Sequence, residues 1–419
     1  MKKISLLLLC CATLSQQKSM AGGFKVALQG QKQTGMASVG VGYAQDAATI
    51  YFNPAGLSFV NNQINAGGNL LFPSTSFFEK GTNTVYHTAS QSFTPFSLYG
   101  SCNVSKSIKF GMGLYTPFGT GVKYPTDWSG RYILHQINLQ TIFAQPTLSW
   151  KISDHFSLGA GLIYAYGNVL LEKDIPVTSD KGDAVANAQL KGKGHGFGFN
   201  AGAYLKATDN LSIGLTYHSR VNMNVNDCKA TFSNIPAGLT STFPPSNTFS
   251  TQLALPGEVD FGFSYKIVQD LTVAVDFNHT FWSSYDSLGF NYAVNTSAVT
   301  DNKSPRLYEN ASCIRFGAQY AASKNISVRA GLFFDQTPVR DGYVSPELPD
   351  NNKTGLTAGA TFKLDQSFVF DISLLYENVA SRTQKNIETG LDGTFQTRVI
   401  APGIGLTYLF NRSSKTTIK

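Results

Sequence analysis

The chain has 419 residues, a net charge of +7, 14% charged residues, 12% aromatics, 39 glycines and a mean hydropathy of -0.08. A soluble domain carries roughly 25% charged residues, and a helical membrane protein is far more apolar. This balance excludes both and suits a barrel that is apolar outside and polar inside.

Residues 1–21 read as a secretory signal peptide. Lys2 and Lys3 form the positive end, and Ile4 to Leu14 form an apolar stretch too short to span a bilayer. Ser19-Met20-Ala21 places the cut after Ala21. A lipoprotein is disfavoured, because the residues before Cys10 and Cys11 are not small. Removing Lys2, Lys3 and Lys18 lowers the net charge from +7 to +4. Arg412, Lys415 and Lys419 lie in the short C-terminal tail, so no nucleic-acid footprint remains. Beyond residue 21 no run of 18 apolar residues occurs. A membrane protein without spanning helices must be a closed barrel.

Residues 22–60 are rich in Gly and Ala and lead into Asp46-Ala-Ala-Thr-Ile-Tyr-Phe-Asn-Pro-Ala-Gly-Leu57. Asn53-Pro54 favours a turn, and Gly56 can take a positive φ. A segment of small residues lacking its own apolar face must pack inside something. The expectation is a hatch plugging the lumen, with Asn53, Pro54, Ala55 and Gly56 as its gate.

From residue 61 to 410 the pattern has period two. In Leu211-Ser-Ile-Gly-Leu-Thr-Tyr-His218 the odd positions are apolar and the even ones small or polar. The same alternation runs through 156–164, 271–278 and 368–376. Short turns such as Ser153-Asp154-His155, Thr208-Asp209-Asn210 and Ser323-Lys324-Asn325 precede strands. They alternate with longer segments near 79–90, 117–132, 173–187, 227–250, 287–305, 338–353 and 381–396. This is the layout of short periplasmic turns and long extracellular loops.

The fold class is therefore all-β: a transmembrane antiparallel barrel of about 14 strands. Ile213, Leu215, Tyr217, Val273, Val275, Phe370 and Ile372 are expected to face lipid. Arg220, Asp276, Arg315, Arg329 and Asp371 are expected to face the lumen. The last strand, 397–410, ends Gly405-Leu-Thr-Tyr-Leu-Phe410, which resembles the mark that barrel assembly machinery reads. A polar tail, 411–419, follows. A soluble sandwich would also alternate, but its polarity would be the inverse.

Cys102, Cys228 and Cys313 remain after the signal peptide, an odd number that leaves one bridge or free thiols open. There is no His-Glu-x-x-His, Gly-x-Ser-x-Gly or Gly-x-x-x-x-Gly-Lys, and the six histidines are scattered. No metal, cofactor or catalytic activity is expected. A lipid-acting enzyme with a distant Ser–His pair ranks below transport.

Asp46 to Leu57, with its Asn-Pro-Ala, resembles the hatch of the FadL-type outer-membrane transporters of long-chain fatty acids, a family that also takes up aromatic hydrocarbons. Tyr115-Thr-Pro-Phe-Gly119, Trp128-Ser-Gly-Arg-Tyr132, Leu255-Pro256, Phe281-Trp-Ser-Ser-Tyr285, Asp335-Gln-Thr-Pro338 and Pro346-Glu-Leu-Pro-Asp350 are similar to the family in the same order. The resemblance implies passive uptake of a hydrophobic ligand. The ligand would land among the loops, pass a lumenal pocket and leave through the wall beside a kinked strand when the hatch shifts.

Long-chain fatty acids are the expected substrate, with monoaromatic hydrocarbons or a general porin as alternatives. Gly113, Pro117, Phe118 and Gly119 are candidates for the kink and opening. Pro117 equally suits the plain end of a strand. Asn53-Pro54-Ala55 is expected to touch the wall near Tyr115–Gly119. Arg315 and Arg329 either pair with acids such as Asp46, Asp260 or Asp276 or meet a ligand carboxylate. The expected setting is the outer membrane, as a monomer among outer-membrane lipids and lipopolysaccharide.

Overall fold

A computed structural model describes residues 22–180 and 182–410. The signal peptide with its expected cut, and the tail 411–419, lie outside the described residues. Fourteen strands form one antiparallel ring. They are β1 (Gln63–Asn69 and Phe72–Glu79), β2 (Val85–His87 and Phe96–Asn103), β3 (Ile108–Tyr115 and Gly119–Lys123), β4 (Gln136–Lys151) and β5 (Phe156–Ser179). Then come β6 (Gly182–Lys206), β7 (Leu211–His218 and Val221–Ser233), β8 (Ser246–Leu255 and Glu258–Val268) and β9 (Leu271–Thr280 and Ser287–Tyr292). The ring continues through β10 (Asn302–Pro305 and Ala311–Ala321), β11 (Ile326–Asp335), β12 (Lys353–Lys363), β13 (Phe368–Lys385) and β14 (Asp392–Leu409). Pairing of Gln63 with Leu409 and of Asn69 with Gly403 closes it. Closure leaves no sheet edge facing lipid.

Alternation gives each strand two environments. Leu215, Tyr217, Phe261, Phe263, Phe277, Ile372 and Leu374 are exposed on the outer face, while Thr216, Asp260, Asp276, Arg315, Arg329 and Asp371 are buried within. Ile213, Val273, Val275 and Phe370 share the outer face and are half-buried. Arg220 departs from its expected inward place and is exposed. The reason is a slip in register. From His218↔Asn200 to Asn224↔His195, β7 spends six residues against five on β6. Above the slip the odd residues Val221, Met223 and Val225 point inward. A one-residue slip flips every following side chain.

Two of the segments expected as long loops are mostly strand. β5 and β6 run 24 and 25 residues and nearly meet at a tight tip, against the expected loop at 173–187. β13 and β14 likewise consume much of 381–396. Spanning a bilayer takes about 9–11 residues, so these hairpins project well outside. There the first hairpin packs with β7, β8 and the segment around Val299 in a separate core that includes Leu190, Cys228, Phe232, Phe249 and Val299. Cys313 is a free thiol, so no bridge joins it to Cys228.

Residues 22–62 precede the first strand and fill the ring. Short helices α1 (Gln31–Thr34) and α2 (Thr49–Phe52) and a 3-10 turn (Pro54–Phe59) are linked by extended chain.

Candidate functional site

The hatch is held to the wall by polar contacts around much of its circumference. The amides of Gly40 and Val41 donate to the Asp276 carboxylate at 2.7 and 2.9 Å. Arg315 donates to the carbonyl of Ala37 at 3.1 Å and to Asn278 at 2.9 Å. Ser264 and Tyr204 donate to the Gly42 carbonyl. Among the described hydrogen bonds and ion pairs, Arg329 has none to the hatch. It bonds Gln319 and Thr361 and lies 3.9 Å from Asp371, which also faces Lys32 at 4.0 Å. Both arginines thus serve as lumen charges with protein partners. Arg315 also lines a cavity, whereas Arg329 does not.

Asn53-Pro54-Ala55 sits elsewhere than expected. The Asn53 amide donates to the carbonyls of Val41 and Ala203 at 3.1 and 3.0 Å, and its oxygen accepts from the Ala55 amide. Ser149 and Ser157 both donate to the Ala55 carbonyl. These partners lie on β4, β5 and β6 close to the periplasmic turn at 152–155. A Cβ on Gly159 would stand 2.4 Å from the Pro54 carbonyl carbon, so only glycine admits the turn there. Gly56 is buried beside it. The segment faces away from Tyr115–Gly119 because its small residues need glycine-lined wall, which β5 and β6 supply.

Phe24, Lys25 and Val26 reach Tyr115–Gly119, as do Gln29, which donates to the Thr116 carbonyl at 3.0 Å, and Tyr51, whose ring meets Tyr115 edge-on. The ladder between β2 and β3 stops at Ser97↔Tyr115. At that level β2 turns toward β1, with Phe93 and Leu71 exchanging amide–carbonyl bonds of 3.0 and 2.8 Å. Pro117 has no amide to donate, and β3 resumes only at Gly119. The hatch occupies the vacated pairing. The Val26 amide donates to the Pro117 carbonyl at 2.8 Å, and the Gly119 amide donates to the Phe24 carbonyl at 3.0 Å. Lys25 pairs with Glu258 on β8. Gly113 lies in regular ladder opposite Gln145 and Tyr99, so it makes no break.

Sequence reasoning missed the clamp on the hatch's first residues. The Gly23 amide donates to Asp350 at 3.1 Å, and Lys353 bonds the Gly23 carbonyl and Asp350. Gly23 has φ +75 and lies under the Trp282 indole. The motifs around Trp282 and Asp350 stood out in the sequence, but only as points of resemblance. A backbone partner more than 300 positions away leaves no local pattern.

Two larger cavities adjoin this segment. One, of about 420 Å³, lies between residues 23–28 and the wall stretch 118–122, reaching Arg315, Asp335 and Lys353 on the far side. The other, of about 130 Å³, is lined by Met223, Phe249, Leu253, Tyr285, Leu288 and Tyr308, among others. Both touch Phe24, Leu139 and Leu348, so Phe24 stands at the partition. Its ring meets Trp282, Tyr285 and Phe118 edge-on. At the rim of the smaller cavity, burial alone would depress Arg306. Glu347, at 2.9 Å, and the hydroxyls of Tyr285 and Tyr308 outweigh it, so its proton is held more tightly than usual. Among the described residues no group of His, Cys, Asp and Glu is placed to hold a metal.

The family described as "Outer membrane protein transport protein (OMPP1/FadL/TodX)" matches residues 11–412. The chain is 22% identical to the long-chain fatty acid transport protein of Escherichia coli strain K12, over 89% of this chain and 91% of that one. It is similar to the crystal structure of a Pseudomonas aeruginosa FadL homologue, with TM-score 0.83, 20% identity and coverage of 93% and 100%. It is also similar to that of the Ralstonia pickettii toluene transporter TbuX, with TM-score 0.71, 16% identity and coverage of 91% and 98%.

Proposed function

The chain belongs to the OMPP1/FadL/TodX family of outer membrane transport proteins, and we propose that within this family it carries long-chain fatty acids through a hatch-gated lateral opening. The family's members are channels for hydrophobic compounds rather than enzymes, and they reside in the outer membrane.

One observation carries the finer reading. The larger cavity is bounded on one side by Phe24–Val26 and on the other by the stretch of wall where β2 leaves β3. Two backbone hydrogen bonds, the Lys25–Glu258 pair, the Gln29–Thr116 hydrogen bond and the clamp of Asp350 and Lys353 on Gly23 hold that boundary shut. A typical hydrogen bond contributes about 1 kcal/mol net, while burial of an alkyl chain yields roughly 0.8 kcal/mol per CH₂. A long alkyl chain of about ten or more methylenes seated against Phe24 therefore has binding energy on the scale needed to displace the segment. The acid end has a partner too. Lys25 is engaged by Glu258 and Lys353 by Asp350, whereas the described hydrogen-bond partners of Arg315 are the neutral oxygens of Asn278 and Ala37. Arg315, with Asp335 in the same lining, is the cavity cation whose described hydrogen bonds all go to uncharged partners, which places it to meet a carboxylate.

A second reading has its own support. The smaller cavity is almost wholly apolar, and cavities near 150 Å³ are known to hold benzene, so 130 Å³ suits one aromatic ring. Uptake of labelled oleate and of labelled toluene should be compared in cells deprived of other transporters, at matched surface abundance. Saturable oleate uptake that falls in Arg315→Gln supports the fatty-acid reading. Toluene uptake without oleate uptake would replace it with the aromatic one.

A further inference from the structure

We propose that the outer face of β6 and β7, just above the lipid-facing aromatic band, is a binding site for the phosphorylated headgroup of an outer-leaflet glycolipid. Reading up β6 from the periplasmic turn, the outward residues are Leu205, Ala203, Ala201, Phe199 and Phe197, and then His195, Lys193 and Lys191. Phe197 is 71% exposed and Phe199 46%, as expected of side chains in contact with acyl chains. Tyr164 and Phe197 meet across the β5–β6 pairing at 5.4 Å between ring centroids. Such aromatics mark the membrane–water boundary. Four residues further up, beyond His195, the side chains become cationic.

The cations are concentrated by the register. Lys191 lies directly opposite Lys229 on β7, and both are exposed. Lys193 follows on the same face of β6, beside the bulge of residues 226–228. Arg220 stands exposed at the upper border of the band. Like charges directly opposite each other across strands destabilise a sheet. Among the described residues Lys191, Lys193 and Lys229 form no ion pair. Among the acids whose side chains are described, Glu172 lies on this face and accepts from Gln189. Asn168 and Leu170 face Lys193 and Lys191 from β5, and Asn224 and Gln252 extend the surface with uncharged hydrogen-bonding groups.

This is a surface short of an anion, at a fixed height. Free phosphate would meet it from solution, but the arrangement suits a phosphate held at the membrane surface. The aromatic band beneath accommodates the acyl chains of the same molecule, and the asparagines and glutamine suit sugar hydroxyls. The occupant is a lipid whose headgroup carries phosphate on a sugar, seated with its chains against Phe197, Phe199 and Tyr164.

The test is native mass spectrometry of the full chain released from detergent, titrated with lipid A bearing both phosphates and with the same lipid dephosphorylated. The wild type should retain the phosphorylated form about tenfold better, as expected of a few exposed ion pairs acting together. The triple variant K191Q/K193Q/K229Q should lose that preference, and the periplasmic-turn variant K106Q/K324Q/K363Q should keep it. Both should retain the heat-modifiable migration of a folded barrel, since the substituted side chains are exposed. Equal retention of the two lipids by wild type would overturn the proposal. So would an undiminished preference in K191Q/K193Q/K229Q, or displacement of the lipid by an equimolar amount of inorganic phosphate.

Discussion

At Gly159 a hydrogen where other residues carry a Cβ decides where the hatch rests. The Pro54 carbonyl carbon lies 2.4 Å from the place a Cβ would occupy. Because the obstacle is backbone, the wall or the turn must move. Gly159→Val should therefore leave the barrel ladder intact while lifting Asn53–Ala55. Heat-modifiable migration should stay normal, and sensitivity to a large antibiotic such as vancomycin should rise. Normal sensitivity with normal migration would show that the turn does not need that approach.

Asn53 is the complementary case. Its side chain makes three hydrogen bonds within the hatch and to Ala203. Asn53→Ala should cost about 2–4 kcal/mol of local stability, given about 1 kcal/mol per bond and more for groups left buried without partners. Hydrogen exchange of residues 40–57 should accelerate, and fatty-acid uptake at matched abundance should fall. The turn at Asn-Pro-Ala was legible in the sequence because turn chemistry is local. Its contact surface was not, since glycines on β5 and β6 look the same whether they face a hatch or a neighbouring strand.

At the scale of elements, β3 and the first residues of the hatch form one device. Pro117 removes a donor, β2 turns away, and Phe24–Val26 fill the gap. The choice left open by sequence, kink or strand end, resolves into an interruption: β3 stops at Tyr115 and resumes at Gly119. The lower halves of the strands were legible because lipid outside and a packed hatch inside impose strict alternation. The upper halves of β5–β8 were not. There water lies outside and an apolar core inside, and the slip at Ser219–Arg220 reverses the parity that 211–218 establishes.

The Lys25–Glu258 pair gives this device a test of its own. Glu258→Gln leaves the buried Lys25 without its counter-charge, a change that costs on the order of 3–5 kcal/mol in comparable sites. The first turn of the hatch should then leave the wall. Trypsin should cut at Lys25 in the folded variant and spare the wild type. Equal protection would mean that the clamp from Asp350 and Trp282 suffices alone.

The molecule as a whole is a closed ring of strands, a packed plug and an extracellular sheet carrying its own core. Residues 22–62 occupy the lumen, where a general porin would hold an open channel. In a planar bilayer the protein should show no large steady conductance. A steady conductance of porin size would require the hatch to lie open in the resting state.

The proposed passage of substrate between hatch and wall is the step on which the rest of the proposal depends. Lys25 and Phe118 form a narrow backbone bridge flanked by the two hydrogen bonds, a geometry suited to a disulfide. The measurement is uptake of labelled oleate by cells bearing the double variant Lys25→Cys/Phe118→Cys, oxidised and then reduced, at matched surface abundance. Saturable uptake should fall to background when the bridge forms and return on reduction. Uptake by the oxidised form at the rate of the reduced one would contradict the lateral route and send the substrate elsewhere through the barrel.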